Sequence, residues 1–217
     1  MNARPRVKIC CIASLGEAQE AIACGASAVG LVSAMPSGPG VISEKTIAGI
    51  ARRVPPPIGT FLLTSAISAD EIIAQQRRCG TNTLQLCDYV ETSVYRELRA
   101  ELPGIALVQV IHVTGPEDVD RARAAAEHVQ ALLLDSGNTT LPVKLLGGTG
   151  RTHDWTISRR IRDTAGVPIF LAGGLTADNV ARAVAAVEPF GLDLCSSVRT
   201  DNRLDPAKLR SFFSALA

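Results

Sequence analysis

The residues best equipped for chemistry are a thiol and a carboxylate far apart in the chain, Cys10 and Asp135. Cys10 follows Val7-Lys8-Ile9, and Asp135 follows Leu132-Leu133-Leu134. Both runs are apolar enough to be buried strands, so each group stands at a strand end. Core burial is the ordinary fate of a free thiol, and a carboxylate after a strand often caps the next turn. Brought together at one pocket, however, an acid and a thiol can serve as the two proton-transfer groups of an isomerase. Period-2 alternation places Lys8 and Cys10 on one face of their strand, with Ile9 and Cys11 on the other. If Ile9 faces helices, Cys10 points into the pocket and Lys8 lies one layer deeper. A charge there needs a partner, and Asp193 in the last strand-like run is the expected one.

A second group of residues has the chemistry of anion binding. Gly173-Gly174 ends one strand-like run and precedes a helix start, and Ser196-Ser197 ends the next. Glycines let a backbone approach a phosphate closely, and a helix N-terminus offers it free N–H groups. The loop Gly147-Gly148-Thr149-Gly150-Arg151-Thr152-His153-Asp154-Trp155 is too long and glycine-rich for a minimal connector. Such loops commonly act as lids or ligand contacts. It lacks the Gly-Lys-Ser/Thr ending of a nucleotide-binding P-loop.

These groups must be positioned by an alternation of short apolar and amphipathic segments. Strands are expected at Val7–Ile12, Ala28–Ser33, Ile58–Leu63, Thr83–Cys87, Ala106–Val113, Ala131–Ser136, Pro168–Gly173 and Gly191–Ser197. Each is short and poor in charge, as a strand buried on both faces should be. Helices are expected at Leu15–Cys24, Glu44–Val54, Ala69–Cys79, Thr92–Glu101, Glu117–Val129, Trp155–Thr164, Ala177–Val187 and Pro206–Leu216. Ser14, Ser43, Ser68, Thr176 and Asp205 stand at N-cap positions, and Gly25, Gly80 and Gly166 at helix ends. Eight β-then-α units in 217 residues fit a (β/α)8 TIM barrel, one domain over residues 1–217, better than an open sheet. An open sheet would usually carry a glycine fingerprint after its first strand, and here no glycine occurs before Gly16. In such a barrel the working residues lie at the C-terminal ends of the strands, where Cys10, Asp135 and Gly173-Gly174 all fall.

The charge balance, 22 Lys+Arg against 21 Asp+Glu, offers no field for a nucleic-acid backbone or an anionic membrane. Neither partner is expected, and with no signal-peptide pattern or long apolar stretch the chain reads as cytoplasmic. The six cysteines show no metal-ligand spacing and read as reduced thiols.

With these residues in hand, the chain resembles the phosphoribosylanthranilate isomerase family of tryptophan biosynthesis. The resemblance rests on Lys8-Ile9-Cys10, Gln85-Leu86, Asp135, the Gly147-Gly148-Thr149-Gly150 loop closing in Asp154-Trp155, Gly173-Gly174-Leu175, and Asp193 ahead of Ser196-Ser197. It implies an Amadori rearrangement of a phosphoribosyl arylamine, with Asp135 as general acid and Cys10 as general base, needing neither cofactor nor metal. Expected substrate and phosphate contacts are Gly173, Gly174, Ser196, Ser197, Gly148, Gly150, Arg151, Asp193 and Gln85. The partner is a small phosphorylated metabolite, and the protein a monomer or homodimer.

The chain departs from the family pattern at three places. Cys11 stands where the family has Gly, and Cys87-Asp88 where it has His-Gly. The loop Ala34-Met35-Pro36-Ser37-Gly38-Pro39-Gly40-Val41 lacks the Arg that holds the anthranilate carboxylate. Arg151 is then the first substitute for that cation, Arg199 is expected at the phosphate, and Gly40 is the position where an Arg could be restored. The alternatives are a paralogous isomerase of a phosphoribosyl amine without that carboxylate, and a non-catalytic phosphometabolite-binding barrel. A Schiff-base aldolase fits less well, because Lys8 should lie too deep and Lys144 stands in the long loop.

Overall fold

The computed structural model describes residues 4–137 and 152–216. Eight parallel strands form a closed barrel, each followed by a helix: β1 (Arg6–Ile9), α1 (Leu15–Ala23), β2 (Ala28–Val32), α2 (Glu44–Ala51), β3 (Gly59–Thr64), α3 (Ala69–Cys79), β4 (Thr83–Leu86), α4 (Thr92–Glu101), β5 (Ala106–His112), α5 (Asp118–Ala126), β6 (Ala131–Asp135), α6 (Trp155–Thr164), β7 (Ile169–Leu171), α7 (Val180–Val187), β8 (Gly191–Leu194) and α8 (Pro206–Ala215). A two-stranded hairpin, β9 (Arg199–Thr200) and β10 (Arg203–Leu204), intervenes before α8 and was not expected from the sequence. The barrel closes where β1 pairs with β8, in a register that sets Lys8 opposite Asp193 and Ile9 opposite Leu194.

Strand alternation divides the core into two layers. Ile9, Leu31, Leu62, Leu84, Leu132, Leu134 and Leu192 face the helices. Cys10, Ala28, Val32, Phe61, Leu63, Val108, Val110, Leu133 and Phe170 fill the barrel. The same alternation directs Lys8, Cys10, Gln85 and Asp135 inward. Gly30 makes this possible at β2: a Cβ there would lie 3.1 Å from Cys10 Sγ and 3.1 Å from Lys8 Nζ.

Helix starts follow the caps. Ser43 and Ser68 accept from the backbone N–H three residues on, and Asp205 accepts from Ala207 and Lys208, with Pro206 preset for the first turn. Gly80 ends α3 at φ +65°. The start of α7 is a correction. It begins at Val180, not after Thr176, because Asn179 reaches back: its Oδ1 accepts from Thr176 N (2.9 Å) and its Nδ2 donates to Gly174 O (2.9 Å). No helix among the described residues is long and apolar enough to cross a membrane.

Candidate active site

The C-terminal ends of the strands surround a cleft. Cys10 and Cys11 reach it from β1, Gln85 and Cys87 from β4, Asp135 from β6, Gly173 and Gly174 from the turn after β7, and Asp193, Cys195, Ser196 and Ser197 from β8 and beyond. The expected thiol and carboxylate therefore share one mouth, three strands apart around the barrel. Both are largely buried, Cys10 at 6% and Asp135 at 9% exposure. Asp135 Oδ1 accepts from the backbone N–H of Ser136 at 2.7 Å, which fixes the carboxylate at the strand end. Gly148, Gly150 and Arg151, and the long loop's Lys144, lie outside the described residues.

Beneath Cys10, Lys8 is fully buried and donates to Asp193 Oδ1 at 2.8 Å, with its ammonium 5.3 Å from the Phe61 ring centre. Burial opposes its charge, but the Asp193 carboxylate and that hydrogen bond outweigh it, and the Lys8 pKa lies above its ordinary value. The floor of the cleft is thus a charged pair, as alternation and strand order imply.

The first departure from the family pattern has a backbone explanation. Cys11 adopts φ +61°, the left-handed region, where an L side chain costs about 1–2 kcal/mol and glycine costs little. This residue turns the chain out of β1, so the strand stops at Ile9 rather than Ile12. Gly40, at φ +81°, accommodates the extra side chain, for a Cβ there would fall 2.5 Å from Cys11 Cβ. Gly40 therefore cannot take an Arg, contrary to the expectation that a cation could be restored at this position.

Arg199 also needs correcting. It does not line the cleft but is buried behind β1, where its guanidinium donates to Cys10 O (3.2 Å), Cys11 O and Asn202 O (2.9 Å) and pairs with Glu17 (3.3 Å). Glu17 in turn accepts from Ala13 N (2.9 Å) and Leu204 N (3.0 Å). Burial works against its charge, but those N–H groups and Arg199 prevail and hold its pKa below the ordinary value. The pair locks the turn after Cys10 instead of meeting a phosphate.

At the second departure, Cys87 is fully buried, and burial raises its pKa above that of a free thiol. Its carbonyl oxygen lies 3.0 Å from His112 Nε2, and Gln85 Nε2 contacts its sulfur at 3.7 Å. Gln85 Oε1 is buried without a hydrogen-bond partner among the described residues. On the helix side, Gln109 bonds Tyr95 (2.8 Å), Leu86 O (3.1 Å) and Asp88 O (3.0 Å), fixing the end of β4. Sequence reading missed this, although a lone glutamine among the apolar residues of β5 was its signal.

The third departure shapes the rim. Met35, Ser37, Gly38 and Pro39 line the cleft from the loop after β2, and among the described residues no Lys or Arg does so. Across from them, Gly173 (φ +81°) and Gly174 (φ +61°) make a turn that only glycines adopt at little cost, with Asn179 tying its far side. Cys195 was also missed as a site residue. It lines the mouth, and its Sγ lies 2.8 Å from that of Cys11.

Fold and site together define a (β/α)8 barrel with an acid and a thiol lining one mouth above a buried ion pair. The chain belongs to the N-(5′-phosphoribosyl)anthranilate isomerase family, whose sequence profile matches residues 7–215. An isomerase of this name from Haloferax volcanii is 35% identical over 212 residues, covering 97% of this chain and 92% of its own. N-(5′-phosphoribosyl)anthranilate isomerase 2 of Methanosarcina mazei is 34% identical over 198 residues, covering 91% and 87%. The crystal structure of the Thermotoga maritima enzyme superposes with a TM-score of 0.81 at 27% identity, covering 98% of each chain. A phosphoribosylanthranilate isomerase bound to reduced 1-(o-carboxyphenylamino)-1-deoxyribulose 5-phosphate gives 0.78 at 26% identity, again over 98% of each chain.

Proposed function

We infer that the chain is an isomerase converting N-(5′-phosphoribosyl)anthranilate to 1-(2-carboxyphenylamino)-1-deoxyribulose 5-phosphate in tryptophan biosynthesis. The observation that carries this is the meeting of Cys10 and Asp135 at one barrel mouth in a chain of this family. Asp135 acts as the acid: it protonates the ribose ring oxygen, the C1–O bond breaks, and the nitrogen lone pair forms the C1=N bond of a protonated Schiff base. Cys10, as thiolate, removes the C2 proton, and the electron pair moves to give the enolamine, which tautomerises to the ketone. Gly173, Gly174, Ser196 and Ser197 would hold the phosphate. Gln85, whose buried Oε1 has no partner among the described residues, would accept from a substrate hydroxyl. Asp193 positions Cys10 from below through Lys8. Gly148, Gly150 and Arg151, outside the described residues, would add further substrate contacts.

The test is direct. Purified protein given freshly made substrate should extinguish anthranilate-type fluorescence, and no loss at high enzyme concentration refutes the assignment.

The lack of a Lys or Arg among the described rim residues favours a second reading, an isomerase whose phosphoribosyl amine lacks the anthranilate carboxylate. If Arg151 supplies the missing cation, Arg151→Ala should raise KM for the carboxylate-bearing substrate about ten- to a hundredfold, the worth of one charged hydrogen bond. If it changes nothing, and a carboxylate-free analogue is turned over faster, the second reading replaces the first.

A further inference from the structure

Four of the chain's six cysteines line the mouth, and three of them, Cys10, Cys11 and Cys195, have their sulfurs close together. Cys195 Sγ is 2.8 Å from Cys11 Sγ, which is 3.9 Å from Cys10 Sγ. We propose that Cys11 and Cys195 form a redox-active dithiol, which a peroxide converts to a disulfide bridging the turns after β1 and β8 beside Cys10.

Four features support this. The parallel register of β1 and β8, with Cys10 N donating to Leu194 O at 2.7 Å, keeps the two turns side by side. Cys11 holds a left-handed backbone that points its thiol toward Cys195 at a position better suited to glycine. Bonding requires the sulfurs to close by only about 0.8 Å, to the ~2.05 Å of a disulfide. Finally, the two thiols are unequal. The hydrogen bond between the two sulfurs favours the Cys195 thiolate, desolvation opposes it, and the Arg199 charge adds to the first. Cys195 is also only partly buried, within reach of a small oxidant entering the cleft. Elsewhere burial suppresses reactivity, raising Cys79 to about 11 and Cys87 further.

The chemistry balances with peroxide as the named oxidant. The Cys195 thiolate attacks one peroxide oxygen, the O–O bond breaks, and the departing hydroxide takes a proton to leave as water. Cys11 then loses its proton and attacks the sulfenic sulfur, expelling a second hydroxide that leaves as water. Two thiols are oxidised by two electrons in all, and one peroxide is reduced. In the bridged form the Cys11 sulfur is drawn toward Cys195 and the turn that carries Cys10 is tied to the phosphate side of the mouth. On the proposed function, this slows proton transfer at Cys10, and a dithiol reductant restores it.

The experiment treats the full chain with stoichiometric hydrogen peroxide, blocks remaining thiols, and maps tryptic peptides with and without dithiothreitol. The expected result is a reducible link between the peptide starting at Ile9 and the peptide ending at Arg199, with four thiols left of six. The link should persist in Cys10→Ser and vanish in both Cys11→Ser and Cys195→Ser, so one variant that folds poorly does not decide the matter. A link that survives Cys11→Ser, pairing through Cys10, or oxidation only beyond the sulfenic stage overturns the proposal. The isomerase rate of the oxidised sample should fall at least tenfold and recover with dithiothreitol; a link with unchanged rate overturns the regulatory part. Because the link is read by mass, an inactive reduced protein would refute the proposed function and leave the dithiol standing.

Discussion

At the scale of the residue, the proposed mechanism makes the thiol of Cys10 the base, while Cys11 holds a left-handed backbone better suited to glycine. A serine hydroxyl at position 10 would fill the same space but is a far poorer base, so Cys10→Ser should lower kcat by at least about a hundredfold. The affinity for a reduced product analogue should hardly change, since the loss is confined to the transition state; a parallel loss of affinity would show that Cys10 binds rather than reacts. Cys11 and Gly40 form a coupled pair. Gly40→Ala places a Cβ 2.5 Å from Cys11 Cβ at φ +81°, so it should cost about 2–4 kcal/mol from overpacking and backbone strain. Cys11→Gly removes the Cβ and Sγ contacts and its own left-handed cost but leaves its Cα 2.9 Å from the new Cβ, so the double variant should regain part of that loss in urea denaturation. Additive effects would show that the strain lies in the Gly40 backbone alone.

At the scale of the element, the turn after β1 is held by a lock built from three segments: Glu17 in α1, Arg199 in β9 and the N–H of Leu204 in β10. Because the folded pKa of Glu17 is depressed, its charge contributes stability above the ordinary carboxylate value of 4.5, and that contribution is lost as pH falls through the folded value. Glu17→Gln keeps the acceptor but not the charge. It should destabilise by about 1–3 kcal/mol at neutral pH, with the gap to wild type closing in acid; a gap independent of pH in chemical denaturation would mean the hydrogen bonds matter and the charge does not. This lock also shows what sequence could and could not reveal. Ser43, Ser68 and Asp205 announce their helices because a cap is local, and the ends of α3, α4 and α6 were legible to the residue. The strand ends were not, for β1 stops where Cys11 turns left-handed, and cysteine gives no warning of that. Arg199 was misread for a related reason: its partners lie 182 and more residues away in the chain, at Glu17 and the Cys10 carbonyl. Cys10, Asp135 and the glycine pair were legible because each stands at a strand end, where the barrel itself makes residues converge.

At the scale of the molecule, closure of the barrel brings Lys8 and Asp193 into directly paired positions on β1 and β8, so the seam that completes the sheet also builds the floor of the site. Both groups were taken out of water to make it, and such a pair is weak evidence for stability: desolvation can equal or exceed the attraction regained. Removing one partner is another matter, because the remaining charge is then buried alone. Lys8→Met and Asp193→Leu should each destabilise by about 3–5 kcal/mol, whereas the double variant, with an apolar pair of similar volume at the seam, should recover most of the loss. The measurement is the urea midpoint of all four proteins at a common slope. All variants lacking Asp193 should be poor isomerases even where stability returns, since Cys10 then rests on an apolar floor. Recovery of stability without activity would assign the pair to the chemistry of the mouth. A double variant as unstable as the sum of the singles would instead assign it to barrel closure, with Lys8 and Asp193 making independent contacts that no apolar pair replaces.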